Sequence, residues 1–201
     1  MHISEGVLSA PVLIAGGVLS ICCVTAGLRK LEYEKVPQVA VLTSAFFVAS
    51  LIHVPVGPSS THLILNGLTG ILLGWAAFPA ILTALTLQAV FFQFGGFTSL
   101  GVNTFNMAFP ALVSFWLFSI FVSKNNRRIT MFAGFIGGAA GVLGACFLVA
   151  VSLLTSGKAF LPLVKLLAAV HLPVILIEGL ITALALGFLQ KVKPELLDRR
   201  I

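Results

Sequence analysis

ITMFAGFIGGAAGVLGACFLVAVSLL, residues 129–154, runs for 26 positions without one charged side chain. At 1.5 Å of rise per residue it makes a helix about 39 Å long, longer than the roughly 30 Å hydrocarbon core of a bilayer. A stretch of this kind belongs in a membrane. Its glycines Gly134, Gly137, Gly138, Gly141 and Gly144 provide a small-residue face for close helix packing, which is a structural role.

The neighbouring segments have the same character. Residues 105–122 form an apolar run that stops at Lys124, Arg127 and Arg128, and 166–189 form another near the carboxyl end. Towards the amino end lie 12–28, 36–52, 63–77 and 78–94, the last two separated by almost nothing and each a little short. The segment 53–62 between the second and third runs is broken by prolines, a glycine and hydroxyls, and a polar, glycine-rich link covers 95–103. The pattern predicts an all-α, polytopic membrane protein with seven transmembrane helices, a single transmembrane domain over residues 1–201.

Composition agrees. Hydrophobic residues make up 59% of the 201 and charged residues only 9%, against about 25% charged in soluble domains. The net charge of +6 could suggest nucleic acid, but the basic residues fall in short clusters between apolar runs. The clusters at 29–35, 124–128 and 191–200 all lie on one side of a seven-crossing chain, so the positive-inside bias predicts an amino terminus outside and a carboxyl terminus in the cytoplasm. Lys158 and Lys165 are the exceptions. Membrane lipid, not nucleic acid, is the expected surrounding. Residues 1–6 hold no basic residue other than His2, so no cleavable leader is expected and the mature chain should start at Met1. A bulky second residue should also leave the initiator methionine in place. Cys22, Cys23 and Cys146 lack CxxC spacing and read as small packing residues.

Such a start has chemistry. The terminal amine of Met1, the amide nitrogen of His2 and the Nδ1 of His2 can close two fused chelate rings on one cation and leave one in-plane position. A nitrogen-rich tetragonal site suits Ni(II) or Cu(II); the ordinary alternative is a frayed terminus. His62, at the outer start of the third run, can supply a fourth nitrogen. His53 competes for that place and is the less favoured of the two. Ser59, Ser60, Thr61 and Asn66 could orient the His62 ring by hydrogen bonds.

Glu178 is the one acid inside a crossing, and His171 lies seven positions before it on nearly the same helical face. An ionisable group at that depth requires a partner or a function. Two helical turns, about 10 Å, separate the two. That is too far for both to bind one ion directly, so they read as support. HExxH, GxSxG and P-loop patterns are absent, so no catalytic residue, organic cofactor or nucleotide hydrolysis by this chain itself is expected.

Taken together, the start Met1-His2-Ile3-Ser4-Glu5-Gly6, the segment 54–62 ending in Ser60-Thr61-His62, the stretch 95–109 with Asn103, and the late His171 and Glu178 resemble the CbiM/NikM family. These are substrate-capture (S) components of energy-coupling factor (ECF) transporters for cobalt and nickel. The resemblance covers essentially the whole chain. It implies a multi-pass protein of a prokaryotic plasma membrane whose start enters a central pocket. Ni(II) or Co(II) is then the transported substrate, with Met1, His2 and His62 as metal residues and the 95–103 loop with Asn103 as a cap. It further implies a transmembrane coupling protein, two cytoplasmic ATPase subunits and an optional small accessory membrane subunit. Cobalt-type members tend to carry Ser-His-Pro-Thr-Gly around the loop histidine. Here the run is Ser60-Thr61-His62-Leu63-Ile64, closer to the nickel-type branch. The rival reading is a proton-coupled or passive divalent-cation transporter centred on His171 and Glu178; an intramembrane enzyme is disfavoured.

Overall fold

The computed structural model describes residues 2–56, 59–122 and 126–197, with the backbone alone for 53–56 and 59–61. Among these, seven α-helices follow in order: α1 (Ala10–Arg29), α2 (Val36–Leu51), α3 (Asn66–Leu73), α4 (Ala77–Phe92), α5 (Leu100–Phe121), α6 (Arg127–Ser156) and α7 (Leu161–Val192). A hairpin of β1 (His53–Val56) and β2 (Ser59–His62) stands between α2 and α3. Five stretches among the described residues are long and apolar enough to cross a membrane: Ala10–Arg29, Asn66–Phe92, Leu100–Phe121, Arg127–Ser156 and Lys158–Val192.

Local chemistry explains several boundaries. Proline stands in the first turn of α1, α2 and α7, where its missing N–H is not needed. Asn126 caps α6, its side-chain oxygen accepting from the N–H of Arg128 at 3.0 Å and of Ile129 at 3.3 Å. A cap of that kind contributes about 1 kcal/mol.

Two expectations are corrected here. The run 63–77 does not form a full crossing helix. Leu65 is left-handed (φ 53°, ψ 18°) and delays the start of α3; Gly74 (φ 57°) ends it after eight residues, about 12 Å of helix. Residues 53–62, expected only to break a helix, form an antiparallel ladder in which His53 and His62 are register partners.

The stretch Asn66–Phe92 reverses direction at the 3₁₀ turn Gly74–Ala76. Gln38, near the start of α2, donates to the carbonyl of Leu72 at 3.3 Å, while Ser50, near the end of α2, accepts from Gln88 of α4 at 2.5 Å. Hence α4 runs alongside α2 in the same sense, and α3 runs against both. The last turn of α1 meets the reversal, because a Cβ on Gly27 would lie 2.5 Å from the carbonyl oxygen of Trp75.

The glycines of α6 serve as expected, but on three sides. Gly134 and Gly138 face α7 at Ala183 and Thr182, Gly137 and Gly141 face α3 at Ile71 and Gly67, and Gly144 faces Pro110 of α5. A side chain at Gly138 or Gly141 would force the backbones apart, with Glu178 and Gly67 main-chain atoms 2.8 Å from an added Cβ. The resulting core, with Phe46, Ile64, Phe78, Ile81, Met107, Leu112 and Val142 all nearly solvent-free, surrounds the short helix α3. The cysteine expectation holds in part: Cys146 is buried in that core, whereas Cys22 is exposed on α1 and packs against nothing inside.

Candidate metal centre

The chain enters the bundle as an extended segment before α1, held by one asparagine. Asn103 of α5 accepts from the Ile3 N–H at 3.0 Å and donates to the Ile3 carbonyl at 3.0 Å, and the Ser99 hydroxyl donates to the same carbonyl at 2.7 Å. Asn103 also donates to Ser99 at 3.2 Å, which fixes the orientation of its amide. Each bond is worth about 1 kcal/mol, and losing Asn103 would leave the buried Ile3 N–H unsatisfied. Ile3 itself is buried.

Glycines let the loop before α5 lie directly on this segment. Gly95 is left-handed (φ +79°), and a Cβ there would sit 3.5 Å from the Cβ of His2 and 3.0 Å from the Asn103 amide nitrogen. At Gly96 a Cβ would collide with the Glu5 carboxylate, which also accepts weakly from the Thr98 N–H at 3.4 Å. Of the 95–103 stretch expected as a capping loop, residues 95–99 lie against this segment and 100–103 form the first turn of α5. Ser99, Glu5 and Phe94 were not among the sequence candidates; only the Gly95-Gly96 pair pointed towards them.

Inside the segment, the His2 ring stacks on that of His62 with centroids 5.1 Å apart and planes 13° from parallel, and on Phe94 at 6.1 Å with the same tilt. His62 is buried, and its Nδ1 lies 2.9 Å from the carbonyl oxygen of Leu63. A ring nitrogen facing a carbonyl must carry the proton, so Nε2 holds the lone pair that can bind a metal. The Nε2 of His2 is buried without a hydrogen-bond partner among the described residues. Burial pushes the His2 imidazole well below its ordinary value, with smaller contributions from the positive charges of the chain's amino terminus and of His62. It is therefore neutral at neutral pH, as a ligand must be. The sign also makes the folded segment weaker in acid: below about pH 6.5 the unfolded chain gains a proton on His2 that the folded chain does not accept.

The other candidates fall elsewhere. Met1 lies outside the described residues, as do the side chains of His53, Ser59, Ser60 and Thr61. Asn66 does not orient the His62 ring: its amide donates to the carbonyls of Gly141 at 3.0 Å and Met107 at 3.3 Å, and its oxygen accepts from the Gly67 N–H, tying α3 to α6 and α5. Glu178, fully buried on α7, accepts from the backbone N–H groups of Ile64 and Leu65. The Nδ1 of His171 donates to the Leu167 carbonyl at 2.8 Å, and its buried Nε2 has no partner among the described residues. No group of three His, Cys, Asp or Glu side chains there lies close enough to hold an ion.

Comparison with known proteins places this arrangement. A Haemophilus influenzae protein provisionally named for metal transport is 46% identical over 205 aligned residues, covering 99% of this chain and 98% of that one. The fused nickel transport protein NikMN of Rhodobacter capsulatus is 32% identical over all of this chain and 65% of its own length, and the cobalt transport protein CbiM of Sorangium cellulosum 29% identical over 99% and 95%. A crystal structure of a transition metal transporter superposes with a TM-score of 0.80 at 29% identity, covering 96% of this chain and 93% of the other. An all-α, multi-pass membrane bundle of this kind is a transporter's substrate-specific component and not an enzyme. The chain belongs to the CbiM family, described as the cobalt uptake substrate-specific transmembrane region, which it matches over residues 2–196.

Proposed function

We propose that this chain is the S component of an ECF transporter and captures Ni(II) or Co(II) outside the cell through Met1, His2 and His62. The amine of Met1, the amide nitrogen and Nδ1 of His2, and Nε2 of His62 would form the four-nitrogen set. The observation that carries the reading is the proximity of His2, one residue from the chain's start, to His62, their ring centroids lying 5.1 Å apart. No third side-chain ligand stands close by among the described residues, so the set draws on the backbone. The His62 run, which lacks the cobalt-type Pro-Thr-Gly, favours nickel. An amino terminus outside is supported by the reversal between the short, partly crossing α3 and α4, which keeps the basic clusters on one side. ATP-driven uptake then depends on a transmembrane coupling protein and two cytoplasmic ATPases, and the exposed basic ends would meet them or anionic lipid.

Ni(II) affinity of the purified protein in detergent tests the ligand set by calorimetry. His62→Ala is expected to lower it by more than roughly a hundredfold, beyond what loss of a supporting group typically costs, and His171→Ala by less than about tenfold. The reverse order would move the site to α7 and favour the proton-coupled rival.

Acid should release the metal steeply. Binding removes one proton from the amine, whose ordinary pKa is about 7.7–8.0, and one from the amide, while His2 is already neutral. Affinity should therefore fall by about a hundredfold per pH unit below roughly pH 7.5. A calorimetric series showing a tenfold slope or less would rule out the amide as a ligand.

A further inference from the structure

We propose that Glu178 is a positioning residue for the metal loop, tying α7 to the place where His62 is held. It rests on the metal reading of His62 given above. Three observations converge on it. First, Glu178 is completely buried, and the one ion pair between described residues joins Lys35 to Glu32 at the α1–α2 connection, far from it in the chain. Its oxygens are met instead by backbone. Second, its Oε1 accepts from the N–H groups of both Ile64 and Leu65, the latter at 2.9 Å, while Oε2 accepts from Leu65 at 3.1 Å. Leu65 is the N-cap residue of α3 and Ile64 the residue before it, and a carboxyl acceptor suits the N-terminal end of a helix. Third, Leu65 holds a left-handed conformation that a leucine seldom adopts, and it does so at the point the carboxylate grips.

The chain of contacts to the candidate ligand is short. Glu178 fixes Ile64 and Leu65; the preceding carbonyl, of Leu63, fixes the Nδ1 of His62 and hence the direction of its Nε2. Releasing the 64–65 turn would free the peptide that orients the ring. The sequence argument placed Glu178 with His171 on α7; the contacts instead place it under the His62 loop, on a helix whose last residue, Val192, is 14 positions away. A displacement of α7 therefore reaches the loop through one side chain.

The test is Ni(II) binding to native-start protein in detergent, comparing the parent, His62→Ala and Glu178→Gln. The calorimetric affinity and the visible spectrum of the bound ion are both recorded. Glu178→Gln keeps the shape but sets an NH₂ where a carboxylate oxygen accepted. It is expected to weaken binding roughly ten- to hundredfold and to move the visible band towards that of His62→Ala. A merely structural loosening would not change the ion's spectrum in that direction. Parental affinity in Glu178→Gln, or weakened binding with a parental spectrum, would overturn the proposal while leaving the metal site standing. Parental affinity in His62→Ala would instead overturn the site itself. Should Glu178→Gln fail to fold, Glu178→Asp carries the same test: it keeps the charge but draws the carboxylate back by one methylene. An intermediate loss with the same spectral movement is expected, and parental values would again overturn the proposal.

Discussion

One extra residue ahead of Met1 is expected to abolish tight Ni(II) binding, lowering affinity by more than roughly a hundredfold. That exceeds the ten- to hundredfold typical of losing a group outside the ligand set. The added peptide bond converts the strongly donating amine of Met1 into an amide and moves the free amine one residue further from His2, so the amine, one amide and the imidazole no longer form the chelate that leaves one place for His62. The rest of the protein cannot compensate by sliding, because Ile3 is fastened through both its N–H and its carbonyl to Asn103 and the glycine loop lies on His2. Calorimetry on native-start protein and on the extended form would check it. Equal affinity that still falls when His62 is replaced by alanine would sink the amino-terminal chelate, since a free amine two residues before His2 could otherwise fill the fourth place itself.

Gly70→Ala is expected to be the most damaging single methyl group in the bundle. A Cβ on Gly70 would run into the backbone carbonyl of Ala111 on α5, and α3 cannot retreat because Gly67 on the same helix lies against the backbone of Gly138 on α6. Overpacking typically costs 1–3 kcal/mol, occasionally more. With backbone on both sides and no flexible side chain to yield, the upper end applies, a drop of roughly 5–10 °C in melting temperature. Gly17→Ala is the control, since a Cβ there meets nothing within 4 Å. Thermal melts of the two variants in detergent should separate clearly, and a parental melting temperature for Gly70→Ala would refute the packing argument.

Much of this architecture could be read before any coordinates. Long apolar stretches such as 129–154 are unambiguous because membrane helices announce themselves by length and absence of charge. Every observed helix falls within five residues of its expected run at either end, but α3 is too short to cross. That one was hidden because its start depends on Leu65 adopting a left-handed conformation, held by a carboxylate 113 positions away in sequence. Periodicity cannot report such a contact. The hairpin at 53–62 was concealed for a related reason: prolines, serines and a glycine mark a break equally well whether a loop or a short ladder follows.

The site was legible in a different way. His2 and His62 were found from ligand chemistry and from resemblance, and they stack in the structure. Asn66 was placed in the wrong role, because a buried amide beside a candidate ligand could equally join helices, and here it does. Ser99, Glu5 and Phe94 gave no signal of their own; Ser99 and Glu5 bond to backbone groups of the facing segment and Phe94 stacks on His2, where the Gly95-Gly96 pair lets the loop come close.

The clasp between Asn103 and Ile3 has a thermodynamic consequence. In a free peptide beginning Met-His, closing two chelate rings must first freeze a chain that samples many conformations, at about 1–2 kcal/mol for each residue ordered. Here a side-chain amide plays the part of a neighbouring strand and has already removed that freedom at residue 3. The proposed chelate would start from a chain already ordered at residue 3, an advantage of roughly five- to thirtyfold in affinity for each residue ordered in advance. In that reading the bundle contributes to capture by holding the backbone just behind the ligands in place.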